Sequence, residues 1–188
     1  YYYMRPFDEE LRKRIASGEN VIVIGRPLAG KTRAIYEALK SLRKPVDVIV
    51  PRRVEPGVNL EDFIVPIHWK FWRKKVIVLD DINKLAEMQN FAHMLSEFIQ
   101  RNVTIVASCQ TSEYESLIAR LERETPSLLF GKPIEIPKIS KEDGEFVAER
   151  TKLRFPERFD GNIGSIFIDL DTMRTRFNEC EKWEKVFL

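Results

Sequence analysis

The sequence predicts an α/β fold with a five-stranded parallel sheet flanked by helices, on the strength of two observations. First, apolar runs alternate along the chain with stretches of helical periodicity, as they do in consecutive βαβ units. Second, most of these runs are continuously apolar, which is typical of strands that helices cover on both faces. The runs predicted as strands are Val21–Gly25, Val46–Val50, Val76–Asp80, Val103–Ala107 and Pro133–Ile136.

Helical patterns fill the intervals between the predicted strands. A short helix is expected first, from about Asp8 to Ser17, with Asp8 as its N-cap and Gly18 as the left-handed residue just past its end. Apolar residues at three- and four-residue spacing predict the helices between the strands. These helices are Lys31–Leu42, Lys84–Gln100 and Thr111–Glu124.

The C-terminal part of the chain is expected to form a small helical lid. Ser140 and Asp143 begin a helix through a start that resembles a capping box, and a further helical piece begins near Phe159. The predicted domains are an N-terminal segment with an adenine-side helix (1–18), a core (19–152), and a lid or the start of a next domain (153–188).

Composition limits the function classes. A chain of 188 residues that is 44% hydrophobic can bury one ordinary core. Its 31 basic and 29 acidic residues nearly cancel, so charge alone does not indicate a nucleic-acid partner. Two cysteines and two histidines at unrelated spacings match no zinc-site pattern, so no zinc site is predicted. The low cysteine content and the absence of a signal-peptide pattern predict a cytoplasmic location without a membrane partner.

The stretch GRPLAGKT fits the phosphate-binding pattern G-x-x-x-x-G-K-[ST] at every fixed position. Glycines let the backbone curl so that N–H groups converge on phosphate oxygens, and the helix that starts there adds its positive dipole. Lys31 is expected to reach the β- and γ-phosphates, and the Thr32 hydroxyl to ligate Mg²⁺. The predicted nucleotide-binding residues are Gly25, Arg26, Pro27, Leu28, Ala29, Gly30, Lys31, Thr32 and Arg33.

A second acidic element, VIVLDD, ends the third predicted strand. Carboxyl ends of parallel strands face the crevice in which open α/β sheets bind ligands. Asp80 is therefore placed to hold Mg²⁺, and Asp81 to orient or deprotonate an attacking water. The alternative is that both aspartates only cap a helix beginning near Asn83.

Polar residues also end the fourth predicted strand, in TIVASCQT. If this strand lies between the first and the third, Ser108 and Gln110 are candidates for sensing the nucleotide state. The alternative is a strand end that simply turns into a helix. Arg174 and Arg176 are candidates to approach the phosphates from the lid, although a solvated helix face is the favoured explanation for each of them.

Taken together, these segments resemble the STAND class of P-loop ATPases, relatives of AAA+ proteins that act as signalling switches. The resemblance rests on VIVIGRPLAGKTRAIYEAL, VIVLDD, ASCQTSEYESL and FDGNIGSIFIDL, and it spans roughly residues 5–177. It implies the strand order 5-1-4-3-2, ATP (or ADP) with Mg²⁺, and slow hydrolysis coupled to a change in oligomeric state.

The resemblance also implies roles for particular residues. Asp80 would coordinate magnesium, Asp81 would act as the catalytic base, and the residues from Arg5 to Phe7 would line the adenine pocket. Many relatives have an arginine after the fourth strand where this chain has Gln110, which leaves the γ-phosphate sensor open. The expected partners are the nucleotide, a nucleotide-dependent homo-oligomer, and further domains of a longer chain from which this module comes.

Three alternatives remain open at this stage. An ATPase acting on nucleic acid, such as a helicase loader or a transposition helper, would use the basic stretches at Arg52 and at Arg73–Lys75. A small-molecule kinase would need an acceptor pocket and several lid arginines, which the sequence does not clearly provide. A module that binds nucleotide without turnover is compatible with Gln110 and with an arginine supplied by a neighbouring subunit.

Overall fold

The fold is that of a computed structural model, which describes residues 2–50, 73–86, 91–124 and 129–167. The strands β1 to β5 are Val21–Gly25, Val46–Ile49, Lys74–Leu79, Val103–Gln110 and Ile134–Glu135. The helices α1 to α7 are Pro6–Ser17, Lys31–Lys40, Ile82–Leu85, Phe91–Gln100, Thr111–Glu124, Lys141–Thr151 and Gly164–Phe167. Within these ranges no helix is long and apolar enough to cross a membrane.

The five strands form one sheet in the order β2-β3-β4-β1-β5, and every pairing is parallel. This is the predicted order read from the opposite side, so the predicted fold class is confirmed. Because the strands are parallel, all of their last residues lie at one end of the sheet, the carboxyl end, and all of their first residues lie at the other, the amino end. At the carboxyl end Gly25 pairs with Gln110, and Leu79 pairs with Ala107.

The central strands are covered on both faces, as their continuous apolar sequences predict. All five residues of β1 and the first seven of β4 are buried, whereas no residue of the edge strand β2 is. Ile22 and Ile24 belong to a core cluster that includes residues of α3, α4 and α5. Val21 and Val23 alternate with them and are fully buried on the other face of β1, a strand that α1 and α2 also contact.

The first helix begins earlier than predicted, because its N-cap is Arg5 and not Asp8. Pro6 occupies the first helical position, where its missing N–H has no cost. Asp8 is the third helical residue, and its carboxylate accepts the N–H of Arg5 at 2.6 Å. The residue therefore stabilises the helix start from inside the first turn. At the other end Gly18 has φ 92°, which confirms the predicted left-handed residue.

The predicted helix Lys84–Gln100 is only partly correct. The structure has α3, which starts directly after Asp81, and a separate α4, which starts at Phe91. Met88, which the periodicity argument used, falls outside the described residues. By contrast, α5 has the predicted bounds, and Leu117 and Leu121 are buried on one of its faces.

By its internal contacts the chain divides into two units. One contains residues 2–27 and 31–136, and the other contains Leu28–Gly30 and the chain from Pro137 onward. In the second unit the Ser140 hydroxyl accepts the N–H of Asp143 at 3.0 Å, which confirms the predicted start of α6. Arg174 and Arg176, and the rest of the predicted lid after Phe167, lie outside the described residues. The predicted domain boundaries stay predictions.

Candidate functional site

The loop GRPLAGKT lies between a buried strand and a helix, which is the context that a phosphate-binding loop requires. Gly25 is the last residue of β1, and Lys31 is the first residue of α2. Two residues between them have left-handed backbones, Leu28 with φ 64° and Gly30 with φ 89°. A glycine at the second position removes the strain that a side chain would meet there. Arg26 and Pro27 are exposed, whereas Ala29 is buried.

Lys31 lies against the loop that precedes it. Its Nζ donates hydrogen bonds to the carbonyl oxygens of Gly25 and Arg26, both at 3.1 Å, and the residue is only 8% exposed. Both of these partners are neutral carbonyls, which bind an ammonium less strongly than a charged phosphate oxygen does. The lysine is thus held over the loop, where an anionic ligand would be a stronger partner than these carbonyls.

A hydroxyl–carboxylate cluster lies beside the loop, at the carboxyl end of the sheet. The Thr32 hydroxyl is 3.0 Å from both carboxylate oxygens of Asp80. The hydroxyl of Ser108 donates to Asp80 Oδ1 at 2.5 Å and accepts the N–H of Asp81 at 2.9 Å. Ser108 is fully buried, so it fixes the orientation of the Asp80 carboxylate from the interior of the protein. Sequence reasoning placed all three residues in the site but did not predict this contact between Ser108 and Asp80.

The donor set of this cluster fits Mg²⁺ bound together with a nucleotide. Magnesium prefers hard oxygen ligands and is usually held by one or two carboxylates plus substrate phosphates, and not by a cage of protein ligands. Thr32 and Asp80 supply one hydroxyl and one carboxylate at the same point. In the described part of the chain there is no cluster of three or more acidic, cysteine or histidine residues that would form an all-protein site.

Asp81 has an unusual backbone. Its φ of 49° and ψ of 53° lie in the left-handed region, which is uncommon for a non-glycine residue and is often found at functional sites. It immediately precedes α3, but its side chain does not cap that helix. The carboxylate instead pairs with Lys84 Nζ at 2.8 Å on the surface. The capping alternative therefore lacks its hydrogen bond at Asp81.

The strand that carries Ser108 lies between β1 and β3, as the sensing hypothesis required. Gln110 is its last residue, pairs with Gly25 in register and is half-buried. Cys109, which lies between Ser108 and Gln110 in this strand, is a free thiol that is fully buried. Burial raises the pKa of this thiol to about 11, so it stays protonated at neutral pH.

The remaining predicted site residues lie in well-defined local environments. Arg5 is buried at the start of α1, with its guanidinium 4.6 Å from the centre of the Phe7 ring. Arg33 is exposed on α2 and forms an ion pair with Glu37 at 2.7 Å. A role for these three residues in binding the base or the phosphates stays a prediction.

One contact of the loop was not predicted at all. Within the second unit the Gly164 N–H donates to the carbonyl oxygen of Leu28 at 2.8 Å. A Cβ at position 164 would lie 2.5 Å from that oxygen, so only glycine permits this approach. The segment GNIGS entered the sequence-based interpretation through its resemblance to other ATPases. The contact itself was not predictable, because a close backbone approach between residues 28 and 164 leaves no periodic signal in the sequence.

Comparison with known proteins gives a likeness of fold alone. No family model matches the chain, and no curated protein matches it. The solved structures that resemble it include the Walker-type ATPase PABY2304 of Pyrococcus abyssi, with 14% identity, a TM-score of 0.53, and coverage of 87% of this chain and 65% of that one. A closed-state reconstruction of Hsp104 with ATPγS and casein has 15% identity, a TM-score of 0.52, and coverage of 76% and 29%.

A third similar structure is NtrX from Brucella abortus, with 13% identity, a TM-score of 0.50, and coverage of 96% of this chain and 52% of that one. This chain therefore spans less than two thirds of the length of each of these proteins. At such identities the likeness shows the architecture only. The parallel sheet, its strand order and the loop after β1 give this chain the fold of the P-loop NTPases.

Proposed function

We propose that this chain is an ATP-binding P-loop module that hydrolyses ATP slowly and acts as a nucleotide-dependent switch of the STAND type. The observation that carries the proposal is the convergence of Thr32, Asp80 and Ser108 next to Lys31 at the carboxyl end of the sheet. The phosphate loop alone would indicate only anion binding. A metal-binding carboxylate held by two hydroxyls beside it indicates a magnesium–triphosphate complex.

Each residue has a role that follows from its position. The loop N–H groups and Lys31 bind the β- and γ-phosphates, because their positive charge and donors face the anion. Thr32 and Asp80 would hold Mg²⁺, which would supply positive charge next to the phosphates. Asp81 accepts a proton from the attacking water. For this its carboxylate must first leave the surface ion pair with Lys84. Ser108 keeps Asp80 in place.

Slow turnover follows from the residues near the phosphates. Gln110 ends β4 at the position where an arginine would supply positive charge, and a neutral amide stabilises developing phosphate charge less. We propose that full activity needs a neighbouring subunit, as in a homo-oligomer, and that other domains of a longer chain carry the signal and the effector. In this proposal residues 1–18 bind the adenine side, 19–152 form the core and 153–188 form the lid.

The direct test is the substitution Lys31→Ala, measured by isothermal titration calorimetry with Mg·ATP. We expect the dissociation constant to rise at least ~100-fold, because the phosphates lose their main cation; such a change corresponds to about 2.7 kcal/mol. Nucleotide extracted from the purified wild-type protein should be ATP or ADP.

The matched control is Lys40→Ala, which removes an exposed lysine from the last turn of the same helix. It should change the affinity less than about twofold, because a solvated surface charge interacts weakly with a distant ligand. Unchanged ATP affinity in a folded Lys31→Ala protein would overturn the assignment of the loop.

A further inference from the structure

A second concentration of charge lies at the amino end of the sheet, away from the phosphate loop. A cavity of about 790 Å³ is lined there by the end of α1, by the connection from α2 to β2, and by residues at the start of β2 and β3. Three separate stretches of sequence supply its basic side chains in pairs. They are Arg12, Lys13, Arg43, Lys44, Arg73 and Lys74.

The positive charge around this cavity is only partly compensated. Glu9 pairs with Arg12 at 2.6 Å and lies 3.7 Å from Lys13. Asp47 pairs with Arg73 at 3.3 Å. Among the described residues, six cations against these two carboxylates leave a surplus of four positive charges, in a chain whose formal net charge is only +2. Such local accumulation raises the free energy of the protein unless an anion is bound.

Lys74 shows how far this cluster extends into the protein. Its Nζ donates to the carbonyl oxygens of Ile15 and Ala16, both at 2.9 Å, at the end of α1. Burial lowers the pKa of this lysine, since its charge is partly removed from water. An ammonium has three donors, and these two carbonyls use two of them. Within the described part of the chain the third donor has no further hydrogen-bond partner, so it can bind a ligand in the cavity.

We propose that this cavity binds a small ligand that carries several phosphate groups. Its volume lies within the ~300–1,000 Å³ of typical small-molecule sites. Its cations supply both guanidinium forks and ammonium groups, which are the usual partners of phosphate oxygens. Leu42, Pro45 and Val46 provide an apolar wall for an uncharged part of the ligand. A concave site of this size favours a compact polyanion over a nucleic-acid strand, which binds along an extended groove.

This site is separate from the nucleotide site. Lys74 begins β3 and Asp80 follows its last residue, so the strand holds the two sites roughly 20 Å apart at ~3.3 Å per residue. The proposal does not depend on ATP binding or hydrolysis. The proposal gives Arg73 and Lys74 a function, whereas the sequence alone indicated only a short basic stretch at these positions.

The test is a calorimetric titration of the chain with inositol hexakisphosphate at about 50 mM and about 200 mM salt. The double variant Arg43→Glu/Lys44→Glu should weaken binding at least tenfold, because both exposed side chains line the cavity. The matched control is Lys141→Glu/Arg154→Glu, which makes the same charge change at exposed positions in the other unit. It should weaken binding less than twofold.

Two further arms separate the alternatives. In a Lys31→Ala protein the binding should persist, and its loss there would assign the polyanion to the phosphate loop and overturn the proposal. Equal weakening by the two double variants would show unspecific surface attraction and would also overturn it. A single-stranded oligonucleotide of about 20 nucleotides that binds more tightly than inositol hexakisphosphate, and only with the cavity intact, would replace the small ligand by nucleic acid.

Discussion

The two ends of the sheet use charged residues differently. At the carboxyl end, Lys31 contacts loop carbonyls and Asp80 contacts the hydroxyls of Thr32 and Ser108, so each group has a partner within the protein. At the amino end, six cations surround a cavity and two carboxylates pair with three of them. One end of the sheet is therefore organised around particular atoms, whereas the other attracts negative charge in general.

The largest effect is expected from Asp81→Asn at the carboxyl end. It should lower kcat for ATP hydrolysis by about 10²–10⁴-fold, because the water loses its base, and should leave the affinity for Mg·ATP within about twofold. The measurement is phosphate release under saturating ATP, together with calorimetric affinity.

The same change at the amino end, Asp47→Asn, is the control for this comparison. It removes the partner of Arg73 and should leave hydrolysis unchanged. If Asp81→Asn hydrolyses ATP at the wild-type rate, the base is another residue and the strained backbone at position 81 has only a structural cause.

A smaller effect concerns Cys109, next to Ser108 in the buried part of β4. Because its pKa is raised to about 11, the thiolate fraction at pH 8 should be about 100-fold below that of a free cysteine. Alkylation by iodoacetamide, followed by mass spectrometry of the Cys109 peptide, should be slow at pH 8 and should accelerate toward pH 11.

The stability of the protein should follow the same titration. The neutral thiol is favoured in the folded state, so its contribution to the free energy of unfolding is complete below pH 9 and declines between pH 9 and about 11. A cysteine introduced at the amino end, Lys44→Cys, should react at the ordinary rate. Rapid alkylation of Cys109 at pH 8 would contradict the burial of this thiol and its raised pKa.

The smallest effect is expected from Ser108→Ala. It removes the hydroxyl that donates to Asp80 and accepts from Asp81, and should lower the free energy of unfolding by about 2 kcal/mol, since a half-buried N–H and a carboxylate each lose a partner. Chemical denaturation measures this change. The variant should also bind Mg·ATP with lower affinity than the wild type does.

Thr104→Val tests the other end of the same strand. Thr104 is also buried, but its hydroxyl lies 3.5 Å from the Gly18 carbonyl, at the limit of a hydrogen bond. A loss of less than about 0.5 kcal/mol is expected. Equal losses at both positions would show that Ser108 contributes only as a buried hydroxyl and not through Asp80.

Local patterns predicted much of the fold correctly. The strand β1, the loop and the start of α2 follow from an apolar run, spaced glycines and helical periodicity, all of which act over a few residues. The bounds of α5 and the cap at Ser140 were equally readable. The start of α1 was not, because Asp8 suits both the N-cap and the third helical position, and only the backbone geometry at Arg5 distinguishes them.

The amino-acid sequence alone was enough to predict the loop GRPLAGKT after a buried strand and the position of Asp80 after another strand, because each depends on one short segment. It also predicted the parallel sheet, because apolar runs and helical patterns alternate along the chain. The tertiary structure decided which residues meet. Ser108 reaches Asp80 only because β4 lies next to β3. The cations at Arg12, Arg43 and Arg73 come from distant segments and share a cavity only where α1 ends and the strands begin. Alignment of parallel strands brings them together, and no local pattern records it.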